Sequence, residues 1–418
     1  MMLRLLSLAL MVASLASCAS FINLKRDLTA YNATVTRASG TLSTSACPEC
    51  LIIVVVLDDA GKSLSYKVFE HPGHFEILLS TAANSVFAFH DTNHDLSFNP
   101  GEPYAWQALP EGIHKGNAAS EITLDIQPST GKAPTTPYPH GSLFDLRNKL
   151  VSGIDIQLGS ITDLNQPRFN QDRAELGMWQ PMQFMKSGIS GIYFLEPYTP
   201  NKTPILFVHG INGTPRDFAN LVQHIDRKKY QPWLFYYPSG LEIPSISNGL
   251  LGMLNKLWLE HEFKQLHIVA HSMGGLVARS LLNTCQEEDE CDYVRTFTSI
   301  SSPFGGAQAA KSGVEYAPVV MPVWRSMSPE SAFLNNLFSM PLPAGVEHHI
   351  LFGFRNASTL SSTSGDGTIP LESQLRHAAQ QQATSLRGFD EDHLSILGSN
   401  LAGAYLNTIF SGKVRKQP

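Results

Sequence analysis

The segment Ile268-Val-Ala-His271-Ser272-Met273-Gly274-Gly275 runs from an apolar strand pattern straight into a helical one, with a serine at the change. A hydroxyl used as a nucleophile must be lifted clear of a sheet edge on a tight turn. That turn crowds the backbone and calls for small neighbours, which Ala270, Gly274 and Gly275 supply. The plainer alternative is a helix start with Ser272 as its N-cap. Upstream, Thr203-Pro-Ile-Leu-Phe-Val208-His209-Gly210-Ile211-Asn212-Gly213 reads as a strand ending in a glycine-rich turn. Such a turn leaves a backbone N–H unpaired, and an oxyanion developing on a carbonyl needs two preset donors. They are assigned to the N–H groups of Ile211 and Met273, with His209 orienting the loop at Gly210 through a side-chain hydrogen bond.

These turns need a frame. From about 185 onward, apolar β-branched runs (Ile192–Leu195, Ile205–Val208, Trp233–Tyr237, Leu266–Ala270, Val294–Ile300, His349–Gly353) alternate with helical stretches near 216–227, 245–263, 275–284 and 395–410. That alternation predicts an α/β fold with a mainly parallel sheet and helices on both faces. Residues 48–160 read instead as strand, turn, strand: Leu51–Leu57 is continuously apolar, followed by Phe75–Leu79, Val86–Phe89, Ile122–Ile126 and Ile154–Leu158. A small antiparallel, sandwich-like all-β domain is expected there, after a tether over 18–47 and before a linker over 161–184. The apolar stretch at about 307–346 reads either as core-facing helices or as a cap over the site.

The conjunction of motifs resembles the lipase and esterase branch of the α/β-hydrolase family. His209-Gly210 is similar to the family's oxyanion loop. Ala270-His271-Ser272-Met273-Gly274-Gly275 is similar to its nucleophile elbow, with Ala270 where that pattern opens on Gly. Ser301-Ser302-Pro303-Phe304-Gly305-Gly306 resembles the Ser/Thr-Pro-x-x-Gly turn after the next strand. Ser364-Gly365-Asp366-Gly367-Thr368-Ile369-Pro370 resembles the segment that bears the acid. The family's chain order of nucleophile, acid and base implies Ser272, Asp366 and a later histidine. His393 lies between an expected last strand and the terminal helix, where a loop can deliver an imidazole onto Ser272. His377 sits in a polar helical run. His393 is therefore taken as general base, and Asp366 as the group that fixes its tautomer and stabilises the imidazolium. Asp390 and Asp392 read as a solvated rim, and His271 as an elbow packing residue.

Other residues bear on location and metals. Arg4 and the apolar Leu5–Leu15 read as a secretory signal, too short to span hydrocarbon. The ending Leu15-Ala16-Ser17-Cys18 resembles the lipobox of bacterial lipoproteins. That likeness implies removal of residues 1–17, acylation of Cys18 and a membrane partner; an ordinary signal peptide is the alternative. Ala19-Ser20 lacks the Asp of inner-membrane retention, so the likeness implies the outer membrane. In an oxidising compartment Cys47 with Cys50, and Cys285 with Cys291, read as two short-loop disulfides. Asp91-Thr-Asn93-His-Asp95-Leu-Ser97-Phe-Asn99-Pro-Gly101-Glu102 fits an EF-hand-like template except that Leu96 stands where it needs Gly. Either Asp91, Asn93, Asp95 and Glu102 hold a structural calcium ion, or these side chains bond their own backbone in a turn.

The 418 residues are 43% hydrophobic and 16% charged, a balance that folds. Thirty basic against 36 acidic residues, with no basic run longer than Lys413-Val414-Arg415-Lys416, argues against a nucleic-acid partner. The whole reads as an extracytoplasmic lipoprotein hydrolase that acts on an acyl-ester substrate through an acyl-enzyme on Ser272, with no cofactor for the chemistry. Acyl transfer, thioester cleavage and amide cleavage use the same residues. The rival of another kind is a surface-binding lipoprotein with an inert hydrolase scaffold.

Overall fold

The two patterns of apolar residues fold into separate sheets. The computed structural model describes residues 19–30, 33, 35–47, 50–110, 113, 122–129, 131–151, 154–288, 290–356 and 364–414. Cys18 and the signal segment lie outside the described residues.

Residues 19–30 form helix α1. After it come β1 (Val35–Thr44), β2 (Leu51–Leu57), β3 (Ser63–Phe69), β4 (His74–Ser80), β5 (Ser85–Asp91), β6 (Tyr104–Ala108) and β7 (Ile122–Ile126). These strands make two facing sheets, ordered β4-β1-β7 and β3-β2-β5-β6. Ile52, Val54 and Val56 point into the space between the sheets, while Ile53, Val55 and Leu57 fill a second core on the outer side. Both faces of β2 are thus covered, which is why its sequence is continuously apolar instead of alternating. The expectation of a purely antiparallel domain is corrected: β1 and β7 run parallel, Gly40 opposite Ile122. A Cβ at Gly40 would collide with the Ile122 carbonyl and lie 2.6 Å from the Phe75 ring.

A ribbon of β8 (Lys149–Val151) and β9 (Ile154–Asp155) leads to the main sheet. Its strands are β10 (Gln157–Ile161), β11 (Gly191–Phe194), β12 (Thr203–Val208), β13 (Tyr230–Tyr236), β14 (Leu266–His271), β15 (Val294–Ile300), β16 (Glu347–Gly353) and β17 (Ser385–Phe389). They are ordered β10-β11-β13-β12-β14-β15-β16-β17. The last six positions run parallel, and the β10-β11 pair runs against β13. The helices are α2 (Gln171–Trp179), α3 (Pro181–Lys186), α4 (Ala219–Gln223), α5 (Ile243–His261), α6 (Met273–Glu288), α7 (Gln308–Tyr316), α8 (Pro322–Met327), α9 (Ala332–Asn336), α10 (Leu371–Gln374), α11 (His377–Gln381) and α12 (Asn400–Phe410). Leu206 and Val208 pack with α5 and α6 on one face, and Ile205 and Phe207 with α4 and α12 on the other. Alternation along β12 thus feeds two cores.

Three expected boundaries move. The tether over 18–47 is folded: β1 is a central strand, and Asp27 on α1 accepts the Met182 and Gln183 N–H groups at 2.6 and 3.0 Å at the start of α3. Acidic oxygens meet the unpaired donors of a helix start, and this holds α1 to the half that carries the main sheet. Of the strand expected at Ile154–Leu158, Ile154–Asp155 pair with β8, and Gln157–Leu158 pair with β11 in the main sheet, where Ile156 and Leu158 fit the core beside Ile192. The linker over 161–184 is α2 and α3, whose Phe184 and Met185 are buried.

In the 307–346 insertion, Met321, Val323, Leu334 and Leu337 point into the main core, as the core-facing reading expects. Polar side chains grip its main chain: buried Arg279 Nη2 and half-buried Gln382 Nε2 donate to Met340 O at 2.7 and 3.0 Å, and half-buried Arg376 Nη1 to Leu334 O at 2.8 Å. Cys47 is bonded to Cys50 and Cys285 to Cys291. Among the described residues no helix is long and apolar enough to cross a membrane.

Candidate active site

Ser272 stands between β14 and α6 with φ of 53°, a left-handed backbone that a non-glycine residue adopts only under constraint. Its N–H donates to Ile300 O at 2.8 Å, at the end of the neighbouring strand. The glycines after it are required by contact. A Cβ at Gly274 would collide with the Val208 and His209 carbonyls, and one at Gly275 with Ser302. Gly210 approaches from the other side, its absent Cβ 2.9 Å from Ser272 Cβ.

Folding brings the three expected side chains together. His393 Nε2 lies 3.0 Å from Ser272 Oγ, and His393 Nδ1 lies 2.7 Å from Asp366 Oδ2. With Oγ–H donating to Nε2, the ring proton sits on Nδ1 and donates to the carboxylate. Asp366 Oδ1 accepts the Thr368 and Ile369 N–H groups at 3.0 and 2.7 Å, and the His393 N–H donates to Asp366 O at 2.9 Å. Burial pushes the Asp366 carboxyl up, but the hydrogen bond and charge of His393 and those two N–H donors outweigh it and hold the group below 3.8. Asp366 is 1% exposed and Ser272 4%.

The oxyanion turn is similarly braced. Asn212 (φ 53°) donates its N–H to Ser239 Oγ at 3.0 Å, and the Gly213 N–H donates to Gly210 O at 3.2 Å. Among the described residues the Ile211 and Met273 N–H groups have no partner, as a donor pair for an oxyanion requires. The His209 side chain touches the turn. Nδ1 is 2.8 Å from Gly210 O, Nε2 accepts the Tyr237 N–H at 3.5 Å, and burial pulls the ring down to about 4, so it is neutral.

Two contributors carry no sequence signal of their own. His271 packs in the elbow as expected, but its Nε2 also lies 2.8 Å from His393 O, and burial followed by His393 pulls its ring down to about 3. As a neutral donor it pins the main chain of His393. Tyr237 stacks on His209 at 4.1 Å and donates its hydroxyl to His209 O. His271 was visible only as a neighbour of the serine, and Tyr237 only as the last residue of an apolar run. The competing residues fall elsewhere. His377 opens α11 on the surface, Asp390 pairs with Arg355 at 3.2 Å, and Asp392 accepts the Leu394 and Ser395 N–H groups.

In the 91–102 loop the oxygens face inward onto the loop's own donors. Asp91 accepts the Asp95 and Leu96 N–H groups at 3.1 Å each, Asp95 the Ser97 N–H at 2.8 Å, and Glu102 the Thr92 and Asn99 N–H groups at 2.9 Å each. Leu96 adopts φ of 55° where the template has Gly. Among the described residues no three His, Cys, Asp or Glu side chains converge on a common point that could hold a metal. These contacts are those of the self-bonded turn that the sequence offered as the alternative to a calcium loop.

The sheet, the strained serine and the Ser–His–Asp contact define an α/β-hydrolase fold preceded by a small all-β domain. The family model of lecithin:cholesterol acyltransferase matches residues 251–350. A lysosomal thioesterase, PPT2-B of Xenopus laevis, is 30% identical over 117 residues, 25% of this chain and 36% of its own length. The chain thus spans about a third of the curated relative it matches. Among solved structures, the mature Bacillus licheniformis lipase BlEst2 is 18% identical with a TM-score of 0.43 over 53% of this chain and 98% of its own. A metagenomic carboxyl esterase is 15% identical with a TM-score of 0.38 over 51% and 76%.

Proposed function

We propose that the protein is a serine hydrolase that cleaves carboxylic esters, lipid or other acyl esters, through an acyl-enzyme on Ser272. One observation carries the reading: His393 bridges Ser272 Oγ and Asp366 within hydrogen-bond reach on both sides, beside two unpaired N–H groups. His393 Nε2 takes the seryl proton as Oγ attacks the carbonyl carbon. The oxyanion falls to the N–H groups of Ile211 and Met273, and Asp366 stabilises the imidazolium. Collapse expels the alcohol, which receives that proton. Water then repeats the sequence on the acyl-enzyme and releases the acid. The carboxyl esterase and lipase names of the solved neighbours agree with this reading.

A series of p-nitrophenyl esters of increasing chain length tests it. Turnover is expected for wild type and lost for Ser272→Ala with circular dichroism unchanged; equal rates in the two proteins would sink the assignment. The acyltransferase model over residues 251–350 and the thioesterase relative favour a second reading, transfer to an alcohol or cleavage of a thioester. Product analysis with added alcohols and a parallel acyl-thioester assay separates the three. The lipobox-like ending at Cys18 supports placement as an outer-membrane lipoprotein. Palmitate labelling present in wild type and absent in Cys18→Ala is expected, and equal labelling overturns it.

A further inference from the structure

Helix α5 carries glycine at 249 and 252, in the interior of a 19-residue helix. Glycine is the poorest helix former after proline, so an interior glycine usually marks something packed too close for a Cβ. Here nothing lies within 4 Å of the Cβ that either residue would carry. Both instead line a cavity of about 100 Å³, partly open to solvent, between α5 and the all-β domain. The α5 side of this space follows one stripe, Ser245, Asn248, Gly249, Gly252, Met253 and Lys256, a trough about 16 Å long at the helical rise per residue. Its other walls include Leu78, Ile156 and Met185. The glycines preserve an apolar furrow that the protein itself leaves unfilled.

Lys256 closes one end. Its side chain is buried, and its ammonium donates to Lys149 O at 3.0 Å and Arg147 O at 3.4 Å, with the Tyr66 ring 4.2 Å away. An ammonium has three donors, so one remains. Among the described residues no carboxylate pairs with it, and burial alone pulls it down to about 7. A buried cation without a counter-charge is costly, and a ligand anion would relieve that cost. Arg37, which also lines the space, is already met by Glu76 at 3.8 Å and by Ser245.

We infer that the trough between α5 and the all-β domain binds a single-chain aliphatic carboxylate, its head group on Lys256 and its chain over Gly249 and Gly252. The site is separate from Ser272 and does not depend on the reaction proposed there.

Calorimetric titration of sodium dodecanoate into the full chain tests this, with dodecanol as the uncharged probe. Wild type is expected to bind dodecanoate at one saturable site and dodecanol at least about tenfold more weakly. Gly249→Leu fills the furrow and should lower dodecanoate affinity by about tenfold or more while ester turnover is retained, since several methylenes lose their burial. Gly252→Ala gives a readout that misfolding cannot imitate: the ligand-free protein should melt a few degrees higher, as alanine favours the helix, yet bind dodecanoate more weakly. Lys256→Met should abolish the preference for dodecanoate over dodecanol. Unchanged dodecanoate affinity in Gly249→Leu and Gly252→Ala, or equal binding of the two probes by wild type, overturns the proposal.

Discussion

The corner around Ser272 and the seam between the two domains both bury ionisable groups, and they treat them in opposite ways. At the corner each oxygen of Asp366 has a donor, each nitrogen of His393 has a partner, and even the His393 carbonyl is held by His271. At the seam, Lys67 and Glu288 approach only to 4.0 Å, and Glu288 Oε2 and Glu290 Oε1 have no hydrogen-bond partner. Burial pushes Glu288 up to about 7, against the opposing charge of Lys67, with Glu290, Glu287 and Glu76 adding to the rise. The difference teaches where preorganisation was built in. Groups that must hold one geometry through a reaction are saturated with hydrogen bonds; groups that merely join two domains carry desolvation that their partners only partly offset.

The contrast can be broken most severely at the acid. Asp366→Asn should lower kcat by about 10⁴-fold by favouring the wrong tautomer of His393, with a melting temperature close to wild type; loss of fold together with activity would mean the corner is held up by Asp366, not merely oriented by it. Next is His271→Phe, which removes the donor to His393 O. A base displaced by an ångström costs about 10²-fold, so kcat should fall by that order with KM little changed. Steady-state kinetics on one ester decides it, and a fall confined to KM would refute the positioning role.

Stability against pH sharpens the comparison because the two regions have opposite signs. At the corner His209 is held near 4 by burial, as are His267 and His349 elsewhere in the same sheet, with neighbouring charge adding to the fall at His267. The unfolded chain therefore binds more protons below 6.5, and stability present above that pH is lost as pH falls toward about 4. Each such group accounts for at most on the order of 3 kcal/mol. Glu288 is raised, so its contribution is full below 4.5 and lost as pH rises through about 7. Glu288→Gln should raise the melting temperature at pH 8 by several degrees and change it little at pH 5. A thermal scan at both pH values checks this, and equal shifts would contradict it. The smallest effect is expected at the 91–102 loop: with the self-bonded turn, millimolar calcium should leave the melting temperature within about a degree, and a clear rise lost in Asp91→Ala would establish the metal reading instead.

Much of the corner was legible because each triad member sits in its own short turn with a residue signature. The glycines at 274 and 275 and the small residues around Asp366 are consequences of local crowding, and local crowding leaves marks in sequence. What was hidden is tertiary. The Val35–Thr44 strand is rich in Ser and Thr and alternates weakly, so only its pairing with β4 and β7 makes it a strand. The Gln157–Ile161 strand has a half-buried pattern that either domain accepts, and its true partner, Gly191–Phe194, lies beyond two helices. Helices 171–179 and 181–186 have too little apolar periodicity to announce themselves. His271 looked like packing because the carbonyl it holds belongs to a residue 122 positions away.

Because the Asp27 carboxylate fastens α1 onto α3, and Phe21 lies against Trp179 at 5.3 Å, helix α1, which starts at residue 19, is fixed to the half of the molecule that carries the main sheet. An acyl group on the preceding cysteine would therefore act as a short stud and not a long leash.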